Sequence, residues 1–201
     1  MSCTEKNSPI TAILLAAGGS RRLGQPKQLV PFKKDILINY IIDQIEMGGI
    51  KDIKVVLGSH YKEIKSQIIS REVDILENLE WEEGISSSIK CGLRHINSEI
   101  QAVILFIVDQ PYLNSMLVYK ILNQFRTSDA KIIAACVAGQ LTHPVLFRKE
   151  LFPKLLELTG DIGGKVIFKD ESVEKVKWTD ERLLMDIDSI EDYEKIKGCG
   201  S

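Results

Sequence analysis

The sequence predicts one α/β domain with a doubly wound, mostly parallel β-sheet and helices on both of its faces. Short apolar runs alternate with amphipathic segments along most of the 201 residues, as in repeated strand–helix units. A chain of this length fits one such domain better than two. We therefore expect a single domain over residues 1–201, in which the polar residues 1–9 form a flexible tail.

The strands are predicted from apolar runs that end at small, turn-forming or acidic residues. The first begins at Ile10 and is apolar on both faces until it ends in Ala16–Gly19, which is typical of a buried parallel strand. The most apolar run, Ala102–Val108, is terminated by Asp109-Gln110-Pro111. Further strands are expected at Ile53–Leu57, Val73–Leu76, Ile132–Val137 and Val173–Trp178, with a short extended piece at Pro144–Phe147.

Helices are predicted where apolar residues recur with helical spacing between these strands. The segment Ile36–Met47 is closed by Gly48-Gly49, a common helix end. The other expected helices run from after His60 to about Ile69 and over Ser86–Ile96, Ser115–Phe125, Lys149–Leu158, Gly163–Lys169 and Ile190–Lys197. In such a sheet, ligands bind outside the carboxyl ends of the strands, where Gly18 and Asp109 both fall.

The overall charge and the residue spacing argue against several classes of function. A formal net charge of −2 disfavours a general nucleic-acid or membrane-surface binder. No apolar run approaches the roughly 20 residues that a membrane span needs. The polar start lacks a signal-peptide segment, so we expect a cytoplasmic protein. The four cysteines and three histidines lie too far apart to suggest a disulfide framework or a structural zinc site.

The loop after the first strand combines glycines with positive side chains. Its glycines are Gly18, Gly19 and Gly24, and its cations are Arg21, Arg22 and Lys27. Glycines let the backbone approach a ligand closely, and exposed N–H groups beside positive charge suit a polyphosphate. We interpret the segment as a nucleotide-binding loop, with a solvated glycine turn as the alternative. Neither G-x-x-x-x-G-K-[ST] nor G-x-G-x-x-G is present, which disfavours Walker-type NTPases and dinucleotide-binding enzymes.

Acidic residues follow the strand pattern at two further places. Asp109 comes directly after a buried strand, where a rigid carboxylate suits Mg²⁺, which takes one or two carboxylates plus substrate phosphates. A capping or turn aspartate is the alternative interpretation. Four carboxylates also lie within Met185–Tyr193. There Ser189 and Asp192 have the spacing of a capping box at the start of the last helix.

Three of these segments resemble motifs of the MobA-like nucleotidyltransferases. Leu15-Ala16-Ala17-Gly18-x-Ser20-x-Arg22-x-Gly24 with Lys27 downstream resembles the signature LAAGxSxRxG and its following lysine. Asp109-Gln110-Pro111 is similar to the metal-binding D-x-P element of that family. The stretch Asp186–Tyr193 is similar to its D-[IV]-D-T-P-E-D-[YFL] element, with Ser-Ile in place of Thr-Pro.

This resemblance implies a Rossmann-like nucleotidyltransferase fold and a set of site residues. It implies catalytic roles for Arg22, Lys27 and Asp109. It implies Mg²⁺ as cofactor on Asp109 and Asp188, with Asp186 as a less favoured ligand. The nucleotide-binding residues of the loop would be Leu15, Ala16, Ala17, Gly18, Gly19, Ser20 and Arg21.

A block in the middle of the chain resembles the family motif that lies near the base and ribose, N-x-x-W-x-x-G-[ML]-x-[ST]-S-[IL]. The residues that match and that we expect at the nucleotide are Asn78, Gly84, Ser86, Ser87 and Ser88. The serines would place hydroxyl groups and free N–H groups at a helix start. Simple N-capping of the helix is an equally good explanation for any single serine.

Two later segments resemble the side of the family's site that binds the acceptor substrate. Thr142-His143-Pro144-Val145-Leu146 is similar to G-H-P-[VI]-L, with Thr142 in place of glycine. The loop at 159–165 is similar to L-x-G-D-x-G-[AG]-[RK]. The acceptor-binding residues implied are His143, Pro144, Gly160, Asp161, Gly163 and Lys165. For His143 a structural role is the alternative, and for Lys165 it is a solvated lysine at a helix start.

Together the matches resemble the branch of molybdenum cofactor cytidylyltransferases. Members of this branch transfer CMP from CTP to the phosphate of molybdopterin and release pyrophosphate, so CTP and a molybdopterin-type cofactor are the implied substrates. Transient contact with a molybdenum hydroxylase is a further implied partnership. The choice of base rests on Ala16 and Ala17, since related guanylyltransferases carry Leu-Ala-Gly-Gly there. A guanylyl or sugar-phosphate nucleotidyltransferase and a non-catalytic cofactor-delivery protein remain open.

Overall fold

A computed structural model describes residues 10–68 and 72–198 of the chain. The strands are β1 (Ile10–Ala16), β2 (Pro31–Phe32), β3 (Asp35–Ile36), β4 (Asp52–Leu57), β5 (Asp74–Glu77), β6 (Ala102–Ile107), β7 (Ile132–Val137), β8 (Gln140–Arg148) and β9 (Val173–Trp178). The α-helices are α1 (Leu37–Met47), α2 (Tyr61–Gln67), α3 (Ile85–Arg94), α4 (Ser115–Thr127), α5 (Phe152–Leu156) and α6 (Ile190–Gly198). The expected tail at 1–9 and the expected helix end near Ile69 lie outside the described residues.

Seven strands form one sheet in the order β5-β4-β1-β6-β8-β7-β9, and β2 and β3 form a separate two-stranded pair. β1 pairs in parallel with β4 and β6, β4 with β5, and β7 with β9. Among the described strands of the seven-stranded sheet, β8 alone runs antiparallel to its neighbours, which are β6 and β7. This arrangement confirms the prediction of a mostly parallel, doubly wound sheet.

Helices cover both faces of the sheet because the strands are apolar on both sides. On β1, Ala12 and Leu14 pack into a cluster with α1 and α4, whereas Ile13 and Leu15 pack with α3 and α5 on the opposite face. None of these four residues is more than 6% exposed. Burying one such leucine or isoleucine contributes about 1.5–3 kcal/mol, so both faces hold the sheet in place. Among the described residues, no helix has the length and apolar content that crossing a membrane requires.

Some predicted elements differ from the observed ones in length or type. The short extended piece at Pro144–Phe147 is part of the long strand β8, which begins at Gln140. The segment expected to be helical over Lys149–Leu158 consists of one 3₁₀ turn followed by the short helix α5. The segment expected at Gly163–Lys169 is a 3₁₀ helix over Gly164–Lys169.

The sheet topology brings distant residues to one edge. The parallel strands β1, β4 and β6 all end at this edge, which we call the carboxyl edge. β8 runs in the opposite direction, as its pairing of Val145 with Leu105 shows, so its first residues also reach the carboxyl edge. The loop after β1, Asp109 after β6, and Thr142 and His143 near the start of β8 therefore lie on the same side of the sheet.

Candidate active site

The loop after β1 is fixed by hydrogen bonds to its carbonyl groups. Gln28 Nε2 donates to Ala16 O at 2.7 Å and to Gly18 O at 3.2 Å. The Ser59 N–H donates to Ala17 O at 3.0 Å. Because a trans peptide group is planar, fixing these oxygens also fixes the N–H groups that follow them in the chain. The loop is therefore held in one conformation by the protein itself.

The second half of the loop is closed onto Lys27. The Lys27 N–H donates to Ser20 Oγ at 3.0 Å, and the Leu23 N–H donates to Ser20 O at 3.0 Å. Gly24 has a φ of +73°, in the left-handed region where glycine carries no steric penalty. Lys27 then begins a 3₁₀ turn that ends at Leu29. These contacts place the Lys27 side chain at a defined position beside the loop.

The loop forms one wall of a cleft of about 710 Å³. The residues that line this nucleotide-side cleft and were expected at the site are Leu15, Ala16, Ala17, Gly18, Arg21, Lys27, Gly84, Ser88, Asp109 and Asp188. A Cβ built on Gly18 meets no atom within 4 Å, so the space in front of this glycine is open. Gly19, Ser20 and Arg22 belong to the loop but are not among the residues that line the cleft.

Lys27 lies between two carboxylates that come from distant parts of the chain. Its Nζ is 2.7 Å from Asp188 Oδ1 and 3.4 Å from Asp109 Oδ2. The other Asp188 oxygen, Oδ2, is 3.0 Å from Arg22 Nη2. The Lys27 side chain is only 11% exposed, whereas the Arg22 side chain is 74% exposed. Both cations that were expected at a triphosphate are thus paired with a carboxylate that was expected at a metal ion.

The backbone around Asp188 explains why it reaches Asp109. The Ile187 N–H donates to Asp109 O at 2.9 Å, which ties the segment before α6 to the end of β6. Ser189 and Asp192 form the reciprocal contacts of a capping box, since each backbone N–H donates to the other side chain, at 3.0 and 3.2 Å. Asp192 is therefore occupied at the helix start, as the sequence predicted, and Asp188 is left to face Lys27.

The two carboxylates have opposite electrostatic environments. Desolvation raises the pKa of Asp109 above its ordinary value, against the opposing effect of the Lys27 charge. Hydrogen bonding to Lys27 lowers the pKa of Asp188. Asp109 Oδ1 is buried and has no hydrogen-bond partner among the described residues. A buried carboxylate oxygen without a partner is costly, so Asp109 is suited to a further cation or donor.

The carboxylate pair fits a divalent metal that is completed by substrate oxygens. Asp109 and Asp188 already share one cation, the Lys27 ammonium, within 3.4 Å. Carboxylate oxygens are the ligands that Mg²⁺ and Mn²⁺ prefer. Within the described residues, no group of three or more histidine, cysteine or acidic side chains could hold a metal ion. Two carboxylates plus phosphate oxygens are the ligand set that such an arrangement can provide.

Asn78 and the serines of α3 are bonded mainly to one another. Asn78 Nδ2 donates to Ser87 Oγ at 2.8 Å and to Ser88 Oγ at 3.1 Å. The N–H groups expected to be free are also used, since Ser86 N donates to Gly160 O and Ser87 N to Gly84 O. These bonds support the capping interpretation. Of this group only Ser88 lines the nucleotide-side cleft.

Gly84 allows the loop at 160–161 to pack against the start of α3. It has a φ of +99°, and a Cβ at this position would lie 2.6 Å from the backbone of Gly160. Asp161 Oδ1 accepts a long hydrogen bond from the Ile85 N–H at 3.4 Å. Two parts of the chain that the sequence assigned to different substrates therefore touch each other here.

A second cavity of about 290 Å³ adjoins the first. Ile85, Ile107 and Asp161 line both, so the two spaces share a wall. The residues expected at the acceptor that line this second cavity are His143, Asp161, Gly163 and Lys165. Pro144 and Gly160 lie next to these in the chain but are not among the lining residues.

Asp186 faces the second cavity and not the nucleotide-side cleft. Asp186 as a residue is exposed, but its carboxylate is partly desolvated. This desolvation is the main reason that the pKa of Asp186 is raised to about 6, and the negative charges of Asp109 and Asp188 add to the effect. His143 Nδ1 is buried and has no partner among the described residues. Desolvation, together with the charge of Lys165, lowers the pKa of His143 to about 3, so this histidine is neutral at physiological pH.

Sequence reasoning missed three polar residues that build the site. Gln28 anchors the loop and is 1% exposed. Gln110 and Thr142, which are 5% and 3% exposed, line the second cavity. A buried glutamine has no periodic pattern that would reveal its partners. The one available signal for the two glutamines is their place in the sequence, since Gln28 directly follows Lys27 and Gln110 directly follows Asp109, both expected site residues.

Comparison with known proteins gives a family and several relatives. The family model described as the MobA-like NTP transferase domain matches residues 12–176. Nicotine blue oxidoreductase of Paenarthrobacter nicotinovorans is 26% identical over 193 residues, which cover 90% of this chain and 93% of that protein. A probable molybdenum cofactor guanylyltransferase of Bacillus cytotoxicus is 33% identical over 92 residues, 45% of this chain and 45% of that protein.

Solved structures show the same fold. Rv0371c of Mycobacterium tuberculosis H37Rv superposes with a TM-score of 0.84 at 23% identity, covering 94% of this chain and 97% of that chain. A structure of Rv0371c in complex with manganese gives a TM-score of 0.76 at 20% identity, with the same coverage of 94% and 97%. At these identities the likeness concerns the fold alone.

Proposed function

The chain belongs to the MobA-like NTP transferase domain family, and from this premise we propose that it transfers CMP from CTP to the phosphate of molybdopterin. An oxygen of the acceptor phosphate attacks the α-phosphorus of CTP and forms the new P–O bond. The bond from the α-phosphorus to the bridging oxygen breaks, and pyrophosphate leaves with its electron pair. The reaction needs no protein nucleophile, so the protein contributes alignment and charge neutralisation.

The observation that carries this proposal is the meeting of Lys27, Asp109 and Asp188 beside the loop after β1. The cations suit the phosphates of a nucleotide, and the carboxylates suit the divalent metal that accompanies them. A site for a metal–nucleotide complex needs both. Lys27 and Arg22 would bind the triphosphate and the charge that develops on it. Arg21 would contribute less, because its side chain is 83% exposed and 3.8 Å from Glu82.

The loop residues Leu15–Arg21 would bind the nucleotide through their backbone. Gly18 leaves open space for close approach, and the Gln28 bonds hold the peptide groups in place. Gly84 and Ser88 line the same cleft, and the base and ribose would lie near them. In this proposal three further residues support the start of α3 without lining the cleft. Asn78 donates to Ser87, and the Ser86 N–H donates to Gly160 in the loop at 160–161.

Asp109 and Asp188 would hold Mg²⁺, which neutralises phosphate charge and stabilises a pyrophosphate leaving group when it is bound. The unpartnered Asp109 Oδ1 and the oxygen-only ligand set support this assignment. The manganese complex of Rv0371c is compatible with a divalent metal in this fold. Before metal and nucleotide enter, the Lys27 ammonium occupies the space between the two carboxylates.

The second cavity would bind the acceptor. It adjoins the nucleotide-side cleft, with which it shares three lining residues, and one cation, Lys165, is among the expected acceptor residues that line it. Lys165 would attract the acceptor phosphate, and neutral His143 would offer hydrogen bonding without adding charge. The name of the Bacillus relative, a molybdenum cofactor guanylyltransferase, supports a molybdopterin-type acceptor. The reaction would take place in the cytoplasm, with transient delivery of the product to a molybdenum hydroxylase.

The proposal is tested by measuring pyrophosphate release with CTP, GTP and ATP, each with Mg²⁺ and molybdopterin. We expect release with CTP that requires both the metal and the acceptor. Preference for GTP would move the chain to the guanylyl branch and keep the transfer reaction. Faster release with a hexose 1-phosphate than with molybdopterin would support a sugar-phosphate nucleotidyltransferase. Tight molybdopterin binding without any pyrophosphate release would support a delivery protein.

A second candidate is an oxidoreductase, because the relative that spans 90% of this chain is named nicotine blue oxidoreductase. This candidate is tested by adding nicotine blue and a reduced nicotinamide nucleotide and following loss of the blue colour. Reduction of the dye, with no pyrophosphate released from any triphosphate, would favour the oxidoreductase over the transferase.

A further inference from the structure

Gln110 and Thr142 form a buried hydrogen-bonded pair at the wall of the second cavity. Gln110 Nε2 donates to Thr142 Oγ1 at 2.8 Å. The two residues are 5% and 3% exposed, and both line the cavity. Gln110 follows the end of β6, whereas Thr142 belongs to β8. The pair therefore links the segment after β6 to β8 at the carboxyl edge, beyond the last backbone pairing of the two strands, Leu105 with Val145.

The Gln110 amide has a second partner in Asp186. The Asp186 carboxylate, which lines the same cavity, interacts with the Gln110 side chain in a way that lowers the Asp186 pKa, as a donated N–H would. A glutamine amide has two N–H hydrogens and one carbonyl oxygen. With one hydrogen directed to Thr142 and the other to Asp186, the group left for a ligand is the carbonyl oxygen Oε1. The contacts with Thr142 and Asp186 together thus leave Gln110 to offer an acceptor, and not a donor, to the cavity.

The backbone keeps Gln110 at this place. Its carbonyl accepts a hydrogen bond from the Leu113 N–H at 3.3 Å, and Pro111 follows it directly. The preceding residue, Asp109, is tied to Ile187 by a backbone hydrogen bond. In this buried position the Gln110 amide plane has two orientations that differ by a turn of about 180°. The Asp186 carboxylate can only accept, so it selects the orientation that turns Nε2 towards it, and the Thr142 hydroxyl accepts the remaining N–H.

Thr142 is also a departure of this chain from the family pattern, which has glycine at that position. A glycine has no hydroxyl and could not hold the Gln110 amide. We infer that Thr142 is a positioning residue that sets acceptor selectivity by holding the Gln110 amide in place, so that Oε1 receives an N–H or amino group of the acceptor. This inference rests on the proposed transfer to an acceptor in the second cavity. It adds a group, Gln110 Oε1, that would recognise the ring of that acceptor.

The chemistry required of the acceptor follows from the lining of the cavity. Lys165 suits an anionic group, and Gln110 Oε1 suits a hydrogen-bond donor on a polar ring. Gln140, which also lines the cavity, adds a further amide. A ring with an amino or ring N–H edge and an attached phosphate meets both requirements. An acceptor with a phosphate but no such edge would leave Gln110 Oε1 without a partner.

The test compares Thr142→Val with Thr142→Ser. Valine keeps the size and the β-branched shape of threonine and removes the hydroxyl, whereas serine keeps the hydroxyl. Binding of molybdopterin is measured without CTP, from the change in pterin fluorescence, and turnover is measured as CTP-dependent pyrophosphate release. We expect Thr142→Val to weaken molybdopterin binding about 10-fold, as for one lost hydrogen bond, with an unchanged KM for CTP. Thr142→Ser should bind molybdopterin within about twofold of the wild type.

A direct structural readout accompanies the binding assay. The side-chain amide signals of Gln110 in a ¹H–¹⁵N spectrum should shift in Thr142→Val and remain in place in Thr142→Ser. Equal molybdopterin affinity in Thr142→Val and the wild type would overturn the inference. So would equal weakening in both variants, since that would indicate loss of packing rather than of the hydroxyl. A CTP KM that rises as much as the molybdopterin dissociation constant would also overturn it.

Failure of the proposed function is separable from failure of this inference. If the wild type binds molybdopterin but releases no pyrophosphate, the transfer reaction is wrong, while the comparison of Thr142→Val with Thr142→Ser still decides the role of Thr142. If the wild type does not bind molybdopterin at all, both the acceptor assignment and the inference are overturned.

Discussion

Lys27 Nζ lies 2.7 Å from Asp188 Oδ1, although 161 positions separate the two residues in the chain. The same ammonium contacts Asp109 Oδ2 at 3.4 Å. The cation and the carboxylates neutralise each other in the protein without ligands. Under the proposed function, entry of a metal ion and a triphosphate would therefore require an exchange of partners, in which the phosphates pair with Lys27 and the metal ion binds the carboxylates.

This exchange predicts the effect of Lys27→Met on metal binding. Methionine has a similar length and no charge, so the oxygens of Asp109 and Asp188 become available to a divalent ion. We expect Mn²⁺ to bind the variant about 10-fold more tightly than the wild type when no nucleotide is present, although the transfer rate falls by about 10²–10³. The measurement is a titration of free Mn²⁺ by electron paramagnetic resonance.

Asp188→Asn is the matched control because it removes one carboxylate and leaves Lys27 in place. We expect it to weaken Mn²⁺ binding in the same titration. Equal Mn²⁺ affinity in the wild type and Lys27→Met would contradict the exchange of partners.

Gln28 provides a test of how the loop is held. Glutamate has the same shape but no N–H group, and its charge would repel the Ala16 and Gly18 carbonyls that Gln28 now binds. We expect Gln28→Glu to raise the KM for CTP about 10-fold or more, while the dissociation constant for molybdopterin stays within about twofold. Steady-state kinetics and the fluorescence titration measure the two. An unchanged KM for CTP would show that the loop keeps its conformation without Gln28.

The half-buried His143, whose Nδ1 atom is buried, predicts a pH dependence of stability. Its pKa in the folded protein is lowered from 6.5 to about 3. Below about pH 6.5 the unfolded chain binds a proton that the folded state does not, so stability is complete above this pH and is lost progressively as the pH falls towards 3. We expect the free energy of unfolding of the wild type to decrease, relative to His143→Gln, between about pH 7 and pH 4.

Guanidinium denaturation at several pH values measures this difference. Lys165→Met removes the second cause of the low pKa and should make the decrease smaller. A constant difference between the wild type and His143→Gln across the pH range would mean that His143 is protonated as easily in the folded state as in the unfolded chain.

Replacing Arg148, which lies away from the candidate site, is expected to lower the stability of the protein. The Arg148 guanidinium donates to the carbonyls of Phe125 and Ser128 near the end of α4 and to Ala130, and it lies 4.2 Å from the centre of the Phe125 ring. We expect Arg148→Met to lower the free energy of unfolding by about 2 kcal/mol. Arg148→Lys should recover only a part, because one ammonium cannot reproduce the planar fork.

Denaturant unfolding of the three proteins measures the Arg148 effect. Mn²⁺ binding should be unchanged, because Arg148 pairs with the start of β6, at the edge opposite the candidate site. Equal stability of Arg148→Met and the wild type would show that α4 ends without this cap.

The parallel sheet and the position of Asp109 could be predicted because both depend on local patterns. A run that is apolar on both faces has to lie between two layers of helices, and a polar residue that follows such a run has to appear at the carboxyl edge. The capping box of Ser189 and Asp192 is equally local. These features can be predicted without knowing which strands become neighbours in the sheet.

The length of β8 and the buried polar pairs could not be predicted in the same way. Gln140, Thr142 and Pro144 interrupt the apolar pattern, and proline is uncommon within strands, so only the last part of β8 looked extended. The bonds of Gln28 to the loop, and of Gln110 to Thr142, depend on which strands become neighbours. The N–H groups of Ser86 and Ser87 are expected to be free for the same reason. Neither segment's sequence indicates that residues 160–161 pack on α3.

The measurement that tests the central claim most directly is transfer of label from [α-³²P]CTP to molybdopterin in a single turnover with Mg²⁺. We expect the label to appear in the molybdopterin product in equal amount to the pyrophosphate released, and the rate to fall by about 10²–10³ in Asp109→Asn. Absence of labelled product, or an unchanged rate in Asp109→Asn, would contradict the assignment of Lys27, Asp109 and Asp188 as a nucleotidyl-transfer centre.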